Sequence, residues 1–237
     1  MSEIIRFQSV SYSYAKGTPF ERKAIDDVSF SVESCDFLGI YGLSGSGKST
    51  LLKLASGLIK PSSGQVILKE NTRVGLVFQF PENQMFGATV LEDVMFGPLN
   101  MGLDKKEARE RAEAALKQMG IGSLLYRRSP FSLSGGEKRR AAIAGILAMD
   151  TDVLALDEPL AGLDPEGQED LCDLLENLNS EGRTIIVVSH DSDVLGRRCK
   201  NAVVLENGRI SDQKNPAYAP ASVRIKSELA ALGIGLD

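Results

Sequence analysis

The feature that most constrains this chain is a glycine-rich loop, Gly42-Leu43-Ser44-Gly45-Ser46-Gly47-Lys48-Ser49, which follows an apolar stretch and opens a helical pattern. The apolar stretch is Phe37–Tyr41, and the helical pattern runs over Lys48–Leu58. The spacing fits G-x-x-x-x-G-K-[ST], in which glycines let successive backbone N–H groups point inward at phosphate oxygens. The following helix adds the positive end of its dipole. The sequence therefore predicts a strand, loop and helix unit that binds phosphate groups.

The remaining apolar stretches predict two kinds of strand. Those near the amino end indicate a small antiparallel β layer, and they are Ile4–Val10, Val28–Val32 and Gln65–Leu68. Later strand-like stretches alternate with helical patterns, and they are Val74–Phe78, Val153–Leu156, Thr184–Ser189 and Ala202–Leu205. Such alternation is typical of parallel strands joined by crossover helices. We expect an α/β fold with a mixed sheet at its core.

Two local signals mark element ends. A helix is predicted over 104–119, where Asp104 can cap the first turn, Glu107 completes a pattern like a capping box, and Gly120 lies just past the end. The dipeptide Asn207-Gly208 between two strand-like stretches predicts a type I′ hairpin turn.

Charge and hydropathy exclude several classes of protein. The formal net charge is -5, so the chain has no overall positive field to hold a nucleic acid by its phosphates. A membrane-spanning helix needs roughly 20 consecutive apolar residues, and the apolar runs here stop at strand length. The amino terminus lacks the pattern of a secretory signal. We expect a chain that stays in the cytosol.

An apolar strand pattern ends in two adjacent carboxylates, Asp157 and Glu158. Nucleotide sites form at the carboxyl edge of such sheets. In phosphate-loop ATPases the aspartate usually holds the Mg²⁺ shell, and a second group orients the attacking water. We assign these roles to Asp157 and Glu158 respectively; the alternative is an acidic turn that caps the helix after Pro159.

A second phosphate-binding surface is predicted at Leu133-Ser134-Gly135-Gly136-Glu137, which opens a helical stretch running to about Met149. Serine and glycines at a helix amino terminus form an anion-binding geometry. The phosphate loop, this LSGGE segment and the acidic strand end, in that order, resemble the ATP-binding cassette (ABC) family, whose signature is this pentapeptide.

The resemblance implies the fold of a P-loop NTPase of the ABC ATPase type: a mixed sheet core, an antiparallel β layer and a helical signature subdomain at about 80–150. The ATPase domain would cover 1–211, and 212–237 would be a short carboxyl-terminal appendage. It implies ATP as the ligand and Mg²⁺ as the metal. Nucleotide contacts are then expected from the phosphate loop, from the following Thr50, and from Ser134, Gly135 and Gly136 of a facing subunit.

Further site residues come from the resemblance, one position at a time. Gln79 matches the Q-loop glutamine that approaches Mg²⁺ and the attacking water. His190, the only histidine, matches the switch histidine that contacts the γ-phosphate. Tyr14, or else Tyr12, matches the aromatic that stacks on adenine, although packing explains a pair of tyrosines equally well. The expected catalytic group is Glu158, His190, Gln79 and Lys48, and the expected metal ligands are Ser49, Gln79 and Asp157.

A narrower resemblance lies in Gly17-Thr18-Pro19-Phe20 and in Gln79-Phe80-Pro81-Glu82-Asn83-Gln84-Met85-Phe86. Both are similar to ATPase subunits of energy-coupling factor transporters, which import cobalt, nickel and vitamins. Those machines pair two ATPases, identical or paralogous, on a transmembrane coupling protein with a separate substrate-capturing membrane protein. The resemblance implies a peripheral location on the cytoplasmic face of the cell membrane, with the exposed part of Pro81–Phe86 facing the membrane partner.

Other readings of the same motifs are an ATPase of another ABC transporter class, a nucleotide-gated clamp on nucleic acid, and a non-hydrolysing regulatory subunit. Clamp proteins usually carry long coiled-coil or zinc insertions between the motifs, and here the motifs lie close together. A regulatory subunit would lack hydrolytic residues, whereas Lys48, Asp157, Glu158 and His190 are all present.

Overall fold

Two β-sheets of different strand direction organise the structure, a computed structural model that describes residues 2–189 and 193–211. The first sheet is antiparallel, with strand order β2-β1-β4, and the second has six strands in the order β5-β6-β7-β3-β8-β9. The strands are β1 Glu3–Tyr14, β2 Arg22–Glu33, β3 Phe37–Tyr41, β4 Ser63–Leu68, β5 Val74–Val77, β6 Val153–Asp157, β7 Thr184–Ser189, β8 Asn201–Glu206 and β9 Arg209–Ile210.

Six α-helices accompany these strands in the described ranges. They are α1 Lys48–Ala55, α2 Val90–Asn100, α3 Lys105–Gln118, α4 Gly135–Leu147, α5 Pro165–Ser180 and α6 Asp193–Gly196, and short 3₁₀ turns occupy Pro81–Gln84, Ser123–Leu125 and Pro130–Ser132. None of the helices in these ranges combines the length and the apolar character that crossing a bilayer would require.

The antiparallel layer and the mixed sheet are both confirmed. Strands β5, β6, β7, β3 and β8 run parallel, and β9 joins β8 antiparallel. The central strand β7 is buried along its whole length. Its two faces belong to two apolar cores. Ile185 and Val187 pack on the side of helices α2 to α5, whereas Ile186 and Val188 pack on the side of α1 and the antiparallel sheet. Burial on both faces explains its continuous apolar sequence.

The first helix is shorter than predicted. It ends at Ala55 rather than Leu58, because Gly57 takes a left-handed conformation with φ 71° that ends the helix. The prediction for 104–119 is confirmed as α3, and the Asp104 carboxylate accepts the backbone N–H groups of Lys106 and Glu107 at 2.8 and 2.9 Å. The hairpin is also confirmed, since Asn207 and Gly208 have φ 49° and 80°.

Helices α2, α3 and α4 lie between β5 and β6 in the chain, within the stretch expected to carry the signature. The bounds of the ATPase domain (1–211) and of its helical subdomain (about 80–150) remain predictions from sequence. The expected appendage, 212–237, lies outside the described residues.

Candidate active site

The carboxyl ends of four parallel strands lie side by side, and this alignment builds the site. In the ladders Val77 pairs with Leu156, Asp157 with Val188, and Tyr41 with Ser189. The segments that leave these ends therefore emerge at one edge of the sheet. They are the segment containing Gln79, the Asp157-Glu158 pair and the phosphate loop, and the strand that precedes His190 in the chain ends at Ser189 on the same edge.

The phosphate loop is held in a conformation that glycine permits. Gly47 has φ 109°, and a Cβ there would lie 2.5 Å from the carbonyl oxygen of Ala24. Gly42 has φ 148°, and a Cβ would collide with the carbonyl oxygen of Leu205. Among the described residues no side chain caps the first turn of α1, which also contains no acidic residue. This helix terminus therefore presents its N–H groups and its positive dipole end to an anion.

Lys48 is buried beneath the loop. Its ammonium donates hydrogen bonds to the carbonyl oxygens of Gly42 and Leu43 at 2.7 and 3.0 Å. Burial lowers the pKa of Lys48, and the nearby carboxylates of Glu158 and Asp157 act in the opposite direction. The Lys48 ammonium therefore lies close enough to Glu158 and Asp157 to interact with both carboxylates, so the phosphate loop and the end of β6 are neighbours.

Most of the predicted site residues line one cleft of about 380 Å³. Its lining consists of Tyr14, Arg22, Ala24, Ser44, Gly45, Gly47, Lys48, Ser49, Thr50, Gln79, Asp157 and Glu158. Arg22 and Ala24 were missed by sequence reasoning, because nothing in a strand pattern indicates which end of β2 approaches the loop. Leu43 and Ser46 instead line a smaller adjoining cavity of about 260 Å³ beside Leu205 and Asn207.

Glu158 has an uncommon backbone conformation for a residue with a side chain, with φ 50°. Its N–H donates to the carbonyl oxygen of Val188 at 3.0 Å, which fixes the turn against β7. Such left-handed residues persist where the surrounding structure holds them, and they cluster at functional sites.

Tyr14 rather than Tyr12 lines the cleft. The Tyr14 hydroxyl is hydrogen-bonded to the hydroxyl of Thr50 at 3.1 Å, which fixes the ring beside the phosphate loop. Tyr12 packs against it edge-on, with ring centroids 4.9 Å apart. The geometry favours Tyr14 as the ring that a base would meet, and Tyr12 as its support.

The signature residues do not reach this cleft. Ser134, Gly135 and Gly136 line a separate cavity of about 450 Å³, together with Gly162 and Asp164 from the segment before α5. Ser134 is the N-cap of α4. The phosphate loop and the signature segment of one chain therefore line two separate cavities. His190 lies outside the described residues, and its role stays a prediction.

Comparisons with known proteins agree with this architecture. The family model described as "ABC transporter" matches residues 25–161. Two relatives are energy-coupling factor transporter ATP-binding proteins EcfA2. The protein of Lactobacillus gasseri is 43% identical over 227 residues, 90% of this chain and 79% of that protein. The protein of Symbiobacterium thermophilum is 43% identical over 245 residues, 98% of this chain and 84% of that protein.

Two solved structures share the fold. The first is cbiO1 from Clostridium perfringens, part of the ABC transporter complex cbiONQ, with TM-score 0.81, 36% identity and 98% of each chain covered. The second is a dimeric ATP-binding cassette in a post-hydrolysis state with ADP and Pi, with TM-score 0.76, 30% identity, and 88% of this chain and 97% of that chain covered. With its phosphate loop, acidic strand end and signature helix placed as described, this chain belongs to the ABC transporter family as an ATP-binding subunit.

Proposed function

We propose that this chain is the ATP-hydrolysing subunit of a membrane importer of the energy-coupling factor type, which takes up a metal ion or a vitamin. The observation that supports it most is the single cleft, which brings the phosphate loop, two carboxylates, Gln79 and Tyr14 together. Phosphoryl transfer depends chiefly on positioning and on charge neutralisation, so a site assembled from several loops suits it.

The phosphates would lie along the loop, with the adenine at Tyr14. Backbone N–H groups of the phosphate loop and of the first turn of α1 would bind the oxygens, and Lys48 would exchange its two carbonyl acceptors for the β- and γ-phosphates. Arg22, which also lines the cleft, adds a second positive charge there. Aromatic rings stack on bases of every type, so Tyr14 would contribute to nucleotide affinity without discriminating between bases.

Mg²⁺ fits the donors of this cleft. Ser49, Gln79 and Asp157 offer oxygen ligands, which this ion prefers. Magnesium is commonly held by one or two carboxylates together with substrate phosphates. When bound, the ion would neutralise charge on the phosphate oxygens.

Glu158 is the group proposed to orient the attacking water. It lies next to Asp157 at the strand end, and its carboxylate shares an electrostatic environment with Lys48. His190 would contact the γ-phosphate from the end of β7. Gln79 would approach the water and the metal from the end of β5.

A second ATPase subunit, identical or paralogous, would complete each site. The separation of the two cavities supports this arrangement, because Ser134, Gly135 and Gly136 lie apart from the phosphate loop of their own chain. A dimeric relative structure with ADP and Pi has the same fold. Two facing chains would then enclose two nucleotides.

An apolar groove of about 360 Å³ beside Gln79 is the proposed contact with the transmembrane coupling protein. We call it the docking groove; the 3₁₀ turn Pro81–Gln84, Met85, Phe86, α2 and α4 form its walls. Phe86 is 64% exposed and meets Phe96, which is 48% exposed, edge-on at 4.7 Å. An apolar helix of the coupling protein would cover these rings. Met85 is only 6% exposed, so it packs beneath the groove and leaves little surface for the partner to contact.

The complete assembly would contain this coupling protein and a substrate-capturing membrane protein, with the ATPases peripheral on the cytoplasmic face. The cbiO1 structure, part of a complex named cbiONQ, supports such an assembly for a similar protein.

Purification of the tagged chain from its native membranes in mild detergent would test the proposal. We expect ATP hydrolysis by the purified complex, together with one integral coupling protein and one small substrate-capturing membrane protein. Recovery with a single pair of fused transmembrane domains would indicate another ABC transporter class. Recovery with nucleic acid and no membrane protein would contradict the proposal.

A further inference from the structure

Arg139 is a buried arginine whose contacts join three separate segments of the chain. Its side chain is 2% exposed and lies on α4, five residues after Ser134 in the chain. Its Nε and Nη2 donate to the two carboxylate oxygens of Glu82 at 3.0 and 2.8 Å. Its Nη1 donates to the carbonyl oxygen of Pro159 at 2.7 Å. The guanidinium also lies over the ring of Phe80, 5.4 Å from the centroid.

Two of these partners, Phe80 and Pro159, each adjoin a residue of the proposed hydrolytic site. Phe80 follows Gln79, and Pro159 follows Glu158. Phe80 and Glu158 are both non-glycine residues with left-handed backbones, at φ 56° and 50°. A left-handed residue with a side chain is strained and needs neighbours that hold it in place. Arg139 contacts the ring of Phe80 and the residue directly after Glu158, so one side chain holds both turns.

Arg139 also connects two walls of the docking groove. Glu82 lies on the 3₁₀ turn that forms one wall, and α4, which carries Arg139, contributes Ala142, Gly145 and Ile146 to another. A helix that enters the groove and moves the turn would therefore move Glu82. Because Glu82 and Arg139 are joined by two parallel hydrogen bonds, that movement would reach the carbonyl of Pro159.

Stability alone does not account for an ion pair at this position. Replacing a buried ion pair by apolar residues is often neutral or stabilising, because desolvation offsets the attraction between the charges. The geometry also requires arginine, since a lysine ammonium cannot form the two parallel bonds of a guanidinium to a carboxylate and reach a third acceptor in the same plane.

We propose that Arg139 is a positioning residue that links the docking groove to the Pro159 side of Glu158, and so couples occupancy of the groove to the rate of ATP hydrolysis. This inference rests on the proposed function, in which Glu158 orients the water and a membrane protein occupies the groove. Arg139 does not line the cleft, and in this role it acts through its contacts with Glu82 and Pro159.

The test compares the ATPase rate of the complex purified from native membranes with that of the ATPase subunits freed from the membrane proteins. The ratio of the two rates measures stimulation by the membrane partner. Arg139→Lys keeps the positive charge and removes the two parallel guanidinium bonds to Glu82. Glu82→Gln keeps the shape of the side chain and removes its negative charge. Arg111→Lys is the matched control, because Arg111 pairs with Asp150 at 3.4 Å in the same helical region, with both side chains exposed.

We expect Arg139→Lys and Glu82→Gln to lower the stimulation ratio about tenfold, with ATP affinity kept within about twofold, because small misplacements of reacting groups cost up to roughly 10²-fold. The double variant should be no worse than the more impaired single variant, since both changes break one link. Arg111→Lys should leave the ratio unchanged.

An equal fall of both rates would assign Arg139 a structural role and overturn the inference, as would an unchanged ratio. If Arg139→Lys does not fold, Glu82→Gln carries the same test. Failure of both variants to fold would also overturn it, because the pair would then serve folding. A wild-type complex that does not hydrolyse ATP would instead contradict the proposed function itself.

Discussion

Ser134 and Glu137 cap one helix reciprocally. The backbone N–H of Ser134 donates to the Glu137 carboxylate at 2.8 Å, and the backbone N–H of Glu137 donates to the Ser134 hydroxyl at 3.3 Å. This capping box satisfies two N–H groups at the start of α4. The Ser134 hydroxyl accepts in this arrangement, so its own hydrogen can be donated to a phosphate oxygen of a facing site. The signature serine can thus cap its helix and bind an anion at once.

Ser134→Ala should lower the free energy of unfolding by about 1 kcal/mol through loss of the N-cap, measured by denaturant titration. It should also weaken ATP-driven dimerisation. Glu137→Gln is the matched control, because glutamine can complete the same capping box and should cost less. An unchanged stability of Ser134→Ala would contradict the capping role.

The same capping box has a dependence on pH. The bond from the Ser134 backbone N–H is the first cause that lowers the pKa of Glu137. A lowered carboxyl pKa contributes stability above the ordinary value, and that stability is lost as pH falls through the lowered value. Glu137→Gln should remove this part of the acid sensitivity in unfolding measured as a function of pH.

Glu158→Gln and Asp157→Asn should separate the two carboxylates. Glu158→Gln keeps the size and removes the anionic acceptor for water, so single-turnover hydrolysis should fall about 10²–10⁴-fold while Mg-ATP still binds. The ATP-filled dimer should then accumulate in sedimentation, whereas the wild-type chain without nucleotide should be largely monomeric. Asp157→Asn should weaken Mg²⁺-dependent binding as well. Hydrolysis by Glu158→Gln at the wild-type rate would refute the assignment.

Lys48→Met should weaken ATP binding about 10- to 100-fold, the loss expected for hydrogen bonds to a charged group. The variant also tests the lowered pKa of Lys48, which burial causes. Between the lowered and the ordinary value the unfolded chain binds the proton more strongly than the folded chain, so the free energy of unfolding rises with pH there. That rise should be reduced in Lys48→Met. An identical pH profile in both proteins would show that the lysine is not desolvated.

Tyr14→Ala should weaken ATP affinity by about 1–3 kcal/mol, the range for a base stacked on an aromatic ring. Tyr14→Phe keeps the ring and loses only the bond to Thr50, so it should bind nearly as well as the wild type. Tyr12→Ala should have the smaller effect of removing a support, measurable by the same titration. If Tyr12→Ala lowers ATP affinity more than Tyr14→Ala does, then Tyr12 is the stacking ring and the assignment is wrong.

Phe86→Ser should reduce attachment to the membrane partner and leave ATP affinity unchanged, because the ring is exposed and lies in the docking groove. Leu124→Ser is the control, since Leu124 is 89% exposed and does not line the groove. Co-purification from native membranes with each variant measures the effect. Equal losses in the two variants would indicate a general effect of surface polarity instead of docking.

Local sequence accounts for much of the site, since backbone chemistry over a few residues decides it. Glycines at fixed spacing allow the conformations of Gly42 and Gly47, and an apolar strand that ends in Asp157 places a carboxylate at the sheet edge. Strand patterns then predict which ends meet, because parallel strands align their carboxyl ends. The helix end at Ala55 was predicted less well, since the prediction extended the helix past Gly57, whose left-handed conformation ends it.

What only the tertiary structure decided is which side chains from distant segments meet. Arg139 and Glu82 are 57 residues apart in the chain, and in the sequence they are two charged residues among many. Their contact exists because α4 packs against the 3₁₀ turn, which also buries Met85 and leaves Phe86 exposed. The separation of the signature cavity from the cleft has the same origin. Motif spacing determines which atoms can bind phosphate, whereas the packing of helices on the sheet determines where each of those surfaces faces.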